Sequence, residues 1–360
     1  MRRTAPLILG AGPAGCAAAI VLAQAGAQPL LIERDAVIGD ALCGGFLSWR
    51  TAARLETLGI DFAALGAQRI THLAIFAAER HAELPLPDHG HGLSRLALDT
   101  ALRAHALELG ADLAIDRIRR IEGTTLVGQQ QEWSADSLFL ASGKHDVLGM
   151  GRPRSGHDPA LGLRLRVRPS ESLHALIAGR IELHLFEGGY AGVVLQEGGT
   201  ANICMALRKS LLADAGGDPR ALLARLAAIH PALGERMVAA SPDTAVDTIG
   251  AVPYGWIARS TLPGLFRLGD QAAVIPSLAG EGIAIALASG SRAAQAWLDS
   301  GPAAAPAFQR DFARSACRPL AMAGLLRAMA ERPSGSALVN SLARRAPWLL
   351  RLAARLTRLD

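Results

Sequence analysis

Three glycines, Gly10, Gly12 and Gly15, form a Gly-x-Gly-x-x-Gly run directly after the apolar triplet Leu7-Ile8-Leu9 and directly before an alanine-rich stretch. Few short patterns restrict a fold so tightly, because each glycine has its own steric task. Gly10 permits a tight turn off a strand, Gly12 lets main chain approach a pyrophosphate, and Gly15 lets the following helix pack close to the sheet. Pro13 and Ala14 then open the helix, whose free N–H groups face an anion. The pattern predicts a strand, turn and helix that bind a dinucleotide.

A second apolar run, Pro29 to Ile32, ends in Glu33 and is followed by Arg34. That places a carboxylate about twenty residues beyond the glycines, where it suits ribose hydroxyls. Thr4 to Ile32 carries no charge and follows Arg2-Arg3, which superficially resembles a signal peptide or membrane span. Its prolines and glycines break it into strand, turn, helix and strand, and burial in a parallel sheet accounts for the apolarity.

At 360 residues the chain exceeds what one core usually holds, about 250–300, so two interwoven lobes are expected. Lys and Arg total 37 against 32 Asp and Glu, a net charge of +5, and no basic run is interleaved with aromatics, so nucleic acid is not an expected partner. Cys16, Cys43, Cys204 and Cys317 make no Cys-x-x-Cys pair or zinc spacing, which fits a reducing cytoplasm and no metal.

Helices are expected over Ser48 to Leu58, from Ser94 to Leu109, near Pro219 to Ile229 and from about Gly282 to Leu298. Strands are expected over Ile70 to Phe76, after which Pro85, Pro87 and Gly90 read as a connection, and over Asp112 to Glu122, Thr125 to Val127 and Ser137 to Ala141. From Gly162 to Leu207, successive period-2 patterns predict an antiparallel sheet in a second lobe. Gly264 to Asp270 returns to nucleotide-domain style, and the chain beyond Ala303 is helical and Arg-rich.

Three distant segments carry a family resemblance. They are the glycine run with Glu33, the loop Ala41-Leu42-Cys43-Gly44-Gly45, and Gly269-Asp270 continuing through Pro276, Gly280-Glu281-Gly282-Ile283 to Ser289-Gly290. Together they resemble the flavoprotein superfamily of aromatic hydroxylases and geranylgeranyl reductases, in particular its reductase-like branch. The resemblance implies an FAD site in which the Cys43 loop lies against the flavin ring and Asp270 meets the ribityl chain. The Gly280 to Ile283 backbone would hold the pyrimidine edge. Arg95 and Asp99 match that family's Arg-x-x-x-Asp at a helix start, Ile118 matches a strand near adenine, and Ala141, Ser142 and Gly143 close the nucleotide sheet. A carboxylate suits ribityl hydroxyls, and helix N–H groups suit negative charge on a reduced flavin.

The chain departs from the family pattern twice. Ser142-Gly143-Lys144-His145-Asp146 stands where the hydroxylases carry an Asp-Gly pair, and Tyr190-Ala191-Gly192-Val193-Val194 keeps only the Tyr of the reductases' aromatic strand. The second departure argues against a geranylgeranyl lipid itself. Cys43, Tyr190 and Trp256 are the candidates for chemistry or pocket walls, while Lys144, His145 and Asp146 read as a solvated loop or a proton-relay cluster.

The expected fold is α/β: a Rossmann-like, three-layer ββα FAD-binding domain (residues 1–70, 90–160 and 248–300), an inserted antiparallel β-sheet substrate lobe (71–89 and 161–247) and a C-terminal helical segment (301–360). The expected function is FAD-dependent monooxygenation of an apolar or phenolic biosynthetic intermediate, such as a polyketide or quinone-like compound. The alternative is reduction of carbon–carbon double bonds in an isoprenoid or lipid. Electrons would come from NADH, NADPH or a separate reductase partner. The basic tail from Arg344 to Arg358 has the pattern of an amphipathic surface helix: a cap, a dimer contact or a peripheral membrane contact.

Overall fold

The computed structural model describes residues 5–77, 80–153 and 158–359, so the charged pair Arg2-Arg3 lies outside the described residues. Strands β1 (Leu7–Leu9), β2 (Leu30–Glu33), β6 (Asp112–Ile115), β10 (Leu138–Leu140) and β16 (Leu265–Arg267) form a parallel sheet in the order β16-β10-β1-β2-β6. Its central strands are buried throughout, and the Phe139 and Phe266 rings stack with centroids 4.7 Å apart. Such two-sided burial explains why the first thirty residues read as nearly continuous apolar sequence.

Helices α1 (Pro13–Gln24), α3 (Arg95–Glu108) and α8 (Gly282–Ser300) pack beside this sheet. Between α1 and α8 the contact is main chain on main chain: a Cβ on Gly290 would stand 2.3 Å from the Ala14 carbonyl oxygen. Close approach of small residues is what lets two helices begin side by side. A three-stranded meander, β7 (Arg120–Glu122), β8 (Thr125–Val127) and β9 (Glu132–Ser134), covers one end. The expected strand Asp112 to Glu122 is therefore two strands in two sheets.

The second sheet has eight strands: β3 (Phe46–Leu47), β4 (Gln68–Ala77), β5 (Arg80–Gly92), β11 (Ala160–Val167), β12 (Arg180–Phe186), β13 (Gly189–Leu195), β14 (Ala201–Arg208) and β15 (Val246–Val252). Their order is β15-β11-β14-β13-β12-β4-β5-β3, antiparallel except for the parallel pair of β12 with β4. The connection expected at Pro85, Pro87 and Gly90 is instead the long strand β5. Its outer side meets β3 only at His91 and Gly92. The two prolines, two residues apart, share one direction, and an open edge tolerates their missing N–H groups.

One face of this sheet buries Leu163, Leu165, Val193 and Ile203 under α4 (Glu171–Ile177), α6 (Pro219–Ile229) and α7 (Pro231–Met237), with α5 (Lys209–Asp214) at the rim. The opposite face, carrying Ile75, Leu185, Tyr190 and Ala206, meets α9 (Ala305–Ala330) and α10 (Pro333–Arg345). Helices α2 (Trp49–Thr57) and α11 (Pro347–Leu356) complete the molecule.

Candidate functional site

The three fingerprint glycines differ in what surrounds them. Gly10 has φ +104°, and a Cβ there would lie 2.5 Å from the Ala141 carbonyl oxygen, while a Cβ on Gly15 would lie 1.9 Å from the Gly10 carbonyl oxygen. Both positions are closed by neighbouring main chain. Gly12, the N-cap of α1, is different: a Cβ would meet only the Arg95 guanidinium, at 3.6 Å. Open space thus lies in front of Gly12, with a cation beside it. Arg95 is held there by Asp99 through bonds of 2.8 and 2.7 Å. Burial works against its charge, but Asp99 outweighs it and raises the Arg95 pKa above its ordinary value.

Glu33 accepts from the Ala11 amide at 2.8 Å and from the Arg34 amide at 2.7 Å, so the acid at the end of β2 is seated on the glycine turn. Arg34 itself is exposed and pairs with Asp35.

The Cys43 loop is fastened by its carbonyls. Arg164, 3% exposed, donates to the Asp40 and Ala41 oxygens at 2.7 and 3.0 Å and also to the Asp247 carboxylate. Lys144 Nζ donates to the Leu42 oxygen at 2.9 Å, and Asn202 Nδ2 to the oxygens of Cys43 and Gly44 at 3.1 and 2.8 Å. Five consecutive carbonyls are thereby occupied from outside the loop. A backbone held this way keeps its position when a planar ring packs against it.

Opposite this loop, the turn at Gly269 and Asp270 is fixed by the Ser289 hydroxyl, which accepts from the Gly269 amide at 2.8 Å, and by Arg152, which donates to the Asp270 carbonyl at 2.9 Å. Gly280, at φ +66°, leads into α8, and nothing stands within 4 Å of where a Gly282 side chain would begin. The intervening Glu281 is 1% exposed and pairs with Arg358, which also donates to the Ala279 oxygen at 2.8 Å and lies over the Trp49 ring. Burial raises the Glu281 pKa despite that cation.

These pieces surround one cavity of about 370 Å³. Gly12, Pro13, Ala14, Leu42, Cys43, Gly45, Arg95, Ala141, Gly143, Gly269, Asp270, Gly280, Gly282 and Ile283 all line it. The open faces at Gly12, Gly44, Gly143 and Gly282, with two helix starts aimed into the same space, fit an extended dinucleotide such as FAD. Of the other expected cofactor residues, Gly10 and Gly15 act from behind the wall. Ile118 packs against the cluster around Ile121 and Leu126, and Ser142 turns its hydroxyl to the His145 carbonyl. Lys144 and Asp146 do not converge on a relay, since Asp146 pairs with Arg152 at 2.7 Å.

Beyond the nucleotide residues the walls are Leu73, Ile75, Leu183, Leu185 and other apolar groups, closed on the far side by Leu350, Ala353 and Ala354 of α11. Within this apolar space three hydroxyls meet. The Ser277 Oγ is 2.6 Å from the Tyr190 hydroxyl and 2.8 Å from the Tyr254 hydroxyl, and these are the chain's two tyrosines. Burial raises the Tyr190 pKa well above its ordinary value and pushes Tyr254 up to about 12. All three groups therefore carry their protons at neutral pH. Three O–H donors with two bonds among them leave one donor for a ligand oxygen.

Trp256 does not line the cavity; its ring stands 5.9 Å from the Arg152 guanidinium. The sequence reading missed Tyr254, Ser277, Arg164, Asn202 and the contribution of α11. The scarcity of tyrosine was a usable signal for Tyr254. A buried arginine inside an alternating strand carries none.

A family profile described as FAD binding domain matches residues 3–147. Digeranylgeranylglycerophospholipid reductase 2 of Methanopyrus kandleri is 28% identical over 324 residues, covering 85% of this chain and 78% of that protein. Menaquinone reductase of Mycobacterium tuberculosis is 27% identical over 313 residues, covering 80% and 75%. Among solved structures, a probable FAD-dependent monooxygenase from Pseudomonas aeruginosa superposes with a TM-score of 0.73 at 16% identity, over 93% of this chain and 98% of that one. At that identity the likeness is one of fold.

Proposed function

We propose that this chain, which is similar to FAD-dependent oxidoreductases of the superfamily that holds the aromatic hydroxylases and geranylgeranyl reductases, is a monooxygenase of an apolar molecule bearing a ring oxygen, a phenol or quinone-like compound. The observation that carries this reading is the hydroxyl cluster Tyr190–Ser277–Tyr254 at the wall of an otherwise apolar cavity. A buried donor left without an acceptor costs about 1–3 kcal/mol, so a free O–H facing the cavity favours a substrate with an oxygen to receive it. An isolated double bond in a hydrocarbon chain offers none.

FAD, when bound, supplies the redox chemistry, holding two electrons and passing them to oxygen or to the substrate. The chain's own residues do the rest. Gly12 and Arg95 would take the pyrophosphate, the pinned Cys43 loop and the start of α8 would hold the ring, and the apolar wall excludes water. The hydroxyl cluster orients the substrate by its oxygen. In the balanced reaction one oxygen atom enters the substrate and the other leaves as water, with NADH, NADPH or a separate reductase supplying two electrons.

Reduction of a carbon–carbon double bond is the second reading. What favours it is that the two relatives described above are named as reductases and align over three quarters of their length or more. The two readings separate in an anaerobic mixing experiment with reduced enzyme and a long-chain alkenylphenol, which carries an isolated double bond but no quinone to oxidise the flavin directly. Monooxygenation predicts that the reduced flavin spectrum persists until oxygen is admitted. Reoxidation by the substrate alone establishes the reductase.

A further inference from the structure

The last helix of the chain has two unlike faces. Leu350, Ala353, Ala354 and Thr357, spaced i, i+3, i+4 and i+7, line the cavity. Trp348, Arg351, Leu352 and Arg355 have the same spacing on the opposite side and are exposed, Trp348 at 63% and Leu352 at 46%. No residue of α11 is fully buried, so one helix thickness separates the apolar cavity from the surroundings. The neighbouring helix α10 adds exposed Leu338, Arg344 and Arg345.

Charge is concentrated on the same segment. Residues 301–360 hold ten arginines and three acidic residues, a net +7, against +5 for the whole chain, which leaves the first 300 residues at −2. An apolar and basic stripe with an interfacial Trp is the composition that seats a helix in the headgroup layer of an anionic bilayer. The described helices include none long and apolar enough to cross a membrane, so contact would be from one side.

We infer that the outer face of α11, through Trp348, Arg351, Leu352 and Arg355, docks on an anionic lipid surface and sets the thin wall of the cavity against the bilayer. An apolar substrate partitions into that bilayer and reaches the cavity from it; this last step rests on the function proposed above, whereas docking does not. A second copy of the chain would meet the basic stripe with the same basic stripe, which disfavours a symmetric pairing through it.

The test is co-sedimentation of the full-length FAD-loaded protein with vesicles of phosphatidylcholine alone or mixed with phosphatidylglycerol, without substrate. Binding is expected only to the anionic vesicles and to weaken with salt. Each arginine near such a surface contributes about five-fold, so Arg351→Gln with Arg355→Gln should lower the partition coefficient about 25-fold. Trp348→Ala should lower it further, with flavin content and melting temperature unchanged because these side chains are exposed. Equal binding to both vesicles, no binding to either, or wild-type binding by the double variant overturns the inference. So does a dimer in solution that the double variant splits, because the stripe is then a contact between copies. Turnover of a detergent-dispersed substrate by the double variant at the wild-type rate leaves the function proposed above intact whichever way docking falls.

Discussion

Gly12→Ala and Gly15→Ala differ by a single methyl group three residues apart, yet they should fail in opposite ways. Gly12 sits at φ −83° and ψ −172°, which alanine adopts without strain, and the new Cβ finds only Arg95 at 3.6 Å. Restricting the unfolded chain gains about 0.4–1 kcal/mol and the poorer N-cap costs a similar amount, so apoprotein stability should stay within about 1 kcal/mol of wild type. The methyl group occupies the approach of the pyrophosphate. Loss of one charge-assisted hydrogen bond, about 1.5–3 kcal/mol, lowers FAD affinity about 10- to 150-fold. In Gly15→Ala the Cβ would overlap the Gly10 carbonyl oxygen at 1.9 Å, with main chain on both sides, so α1 must lift away from the turn. Overpacking of this kind costs about 1–3 kcal/mol or more and lowers the melting temperature by several degrees. Urea denaturation of the apoproteins and FAD titration by fluorescence quenching read the two quantities separately. Wild-type FAD affinity in Gly12→Ala would refute the division of labour among the glycines.

Tyr190→Phe and Tyr254→Phe each remove one member of the three-hydroxyl chain and should weaken substrate binding about 2- to 10-fold, measured by flavin spectral titration. Because the folded protein keeps the Tyr254 proton to about pH 12 while the unfolded chain releases it near 10, stability should fall as pH rises across that interval. Tyr254→Phe should flatten the fall in a melting-temperature series, and an unchanged slope would contradict the raised pKa. Arg358→Ala strands the buried Glu281 carboxylate and should cost about 3–5 kcal/mol in chemical denaturation, whereas Arg358→Met with Glu281→Gln should recover much of it. With Glu281 raised above its ordinary pKa, the single variant's deficit should grow as pH rises above the ordinary carboxylate range.

Local rules made much of this legible. The glycine run, the strand ending in Glu33 and the Gly269 to Ile283 segment each announce geometry that their own residues enforce. Pro85 and Pro87 misled because a proline excludes a residue from a strand only where its nitrogen must donate, and the openness of an edge is decided by strands far along the chain. The pinning of the Cys43 loop was illegible for a related reason. Arg164 and Asn202 lie 124 and 158 residues from the carbonyls they hold, and nothing in their own neighbourhood distinguishes them from outward-facing polar residues of an alternating strand. The cavity's far wall belongs to the same class. The tail's periodicity predicts a helix with a basic face, but only packing shows that its other face closes a pocket.

Isotope labelling addresses the central claim most directly. Purified enzyme, NADPH or a donor reductase, and a long-chain alkenylphenol, which offers both a ring to hydroxylate and a double bond to reduce, are incubated under oxygen-18 gas, and the product is read by mass spectrometry. The account predicts a product carrying one labelled oxygen atom, formed only when oxygen is present. A product that has gained two hydrogens and no label, formed equally well without oxygen, would contradict it.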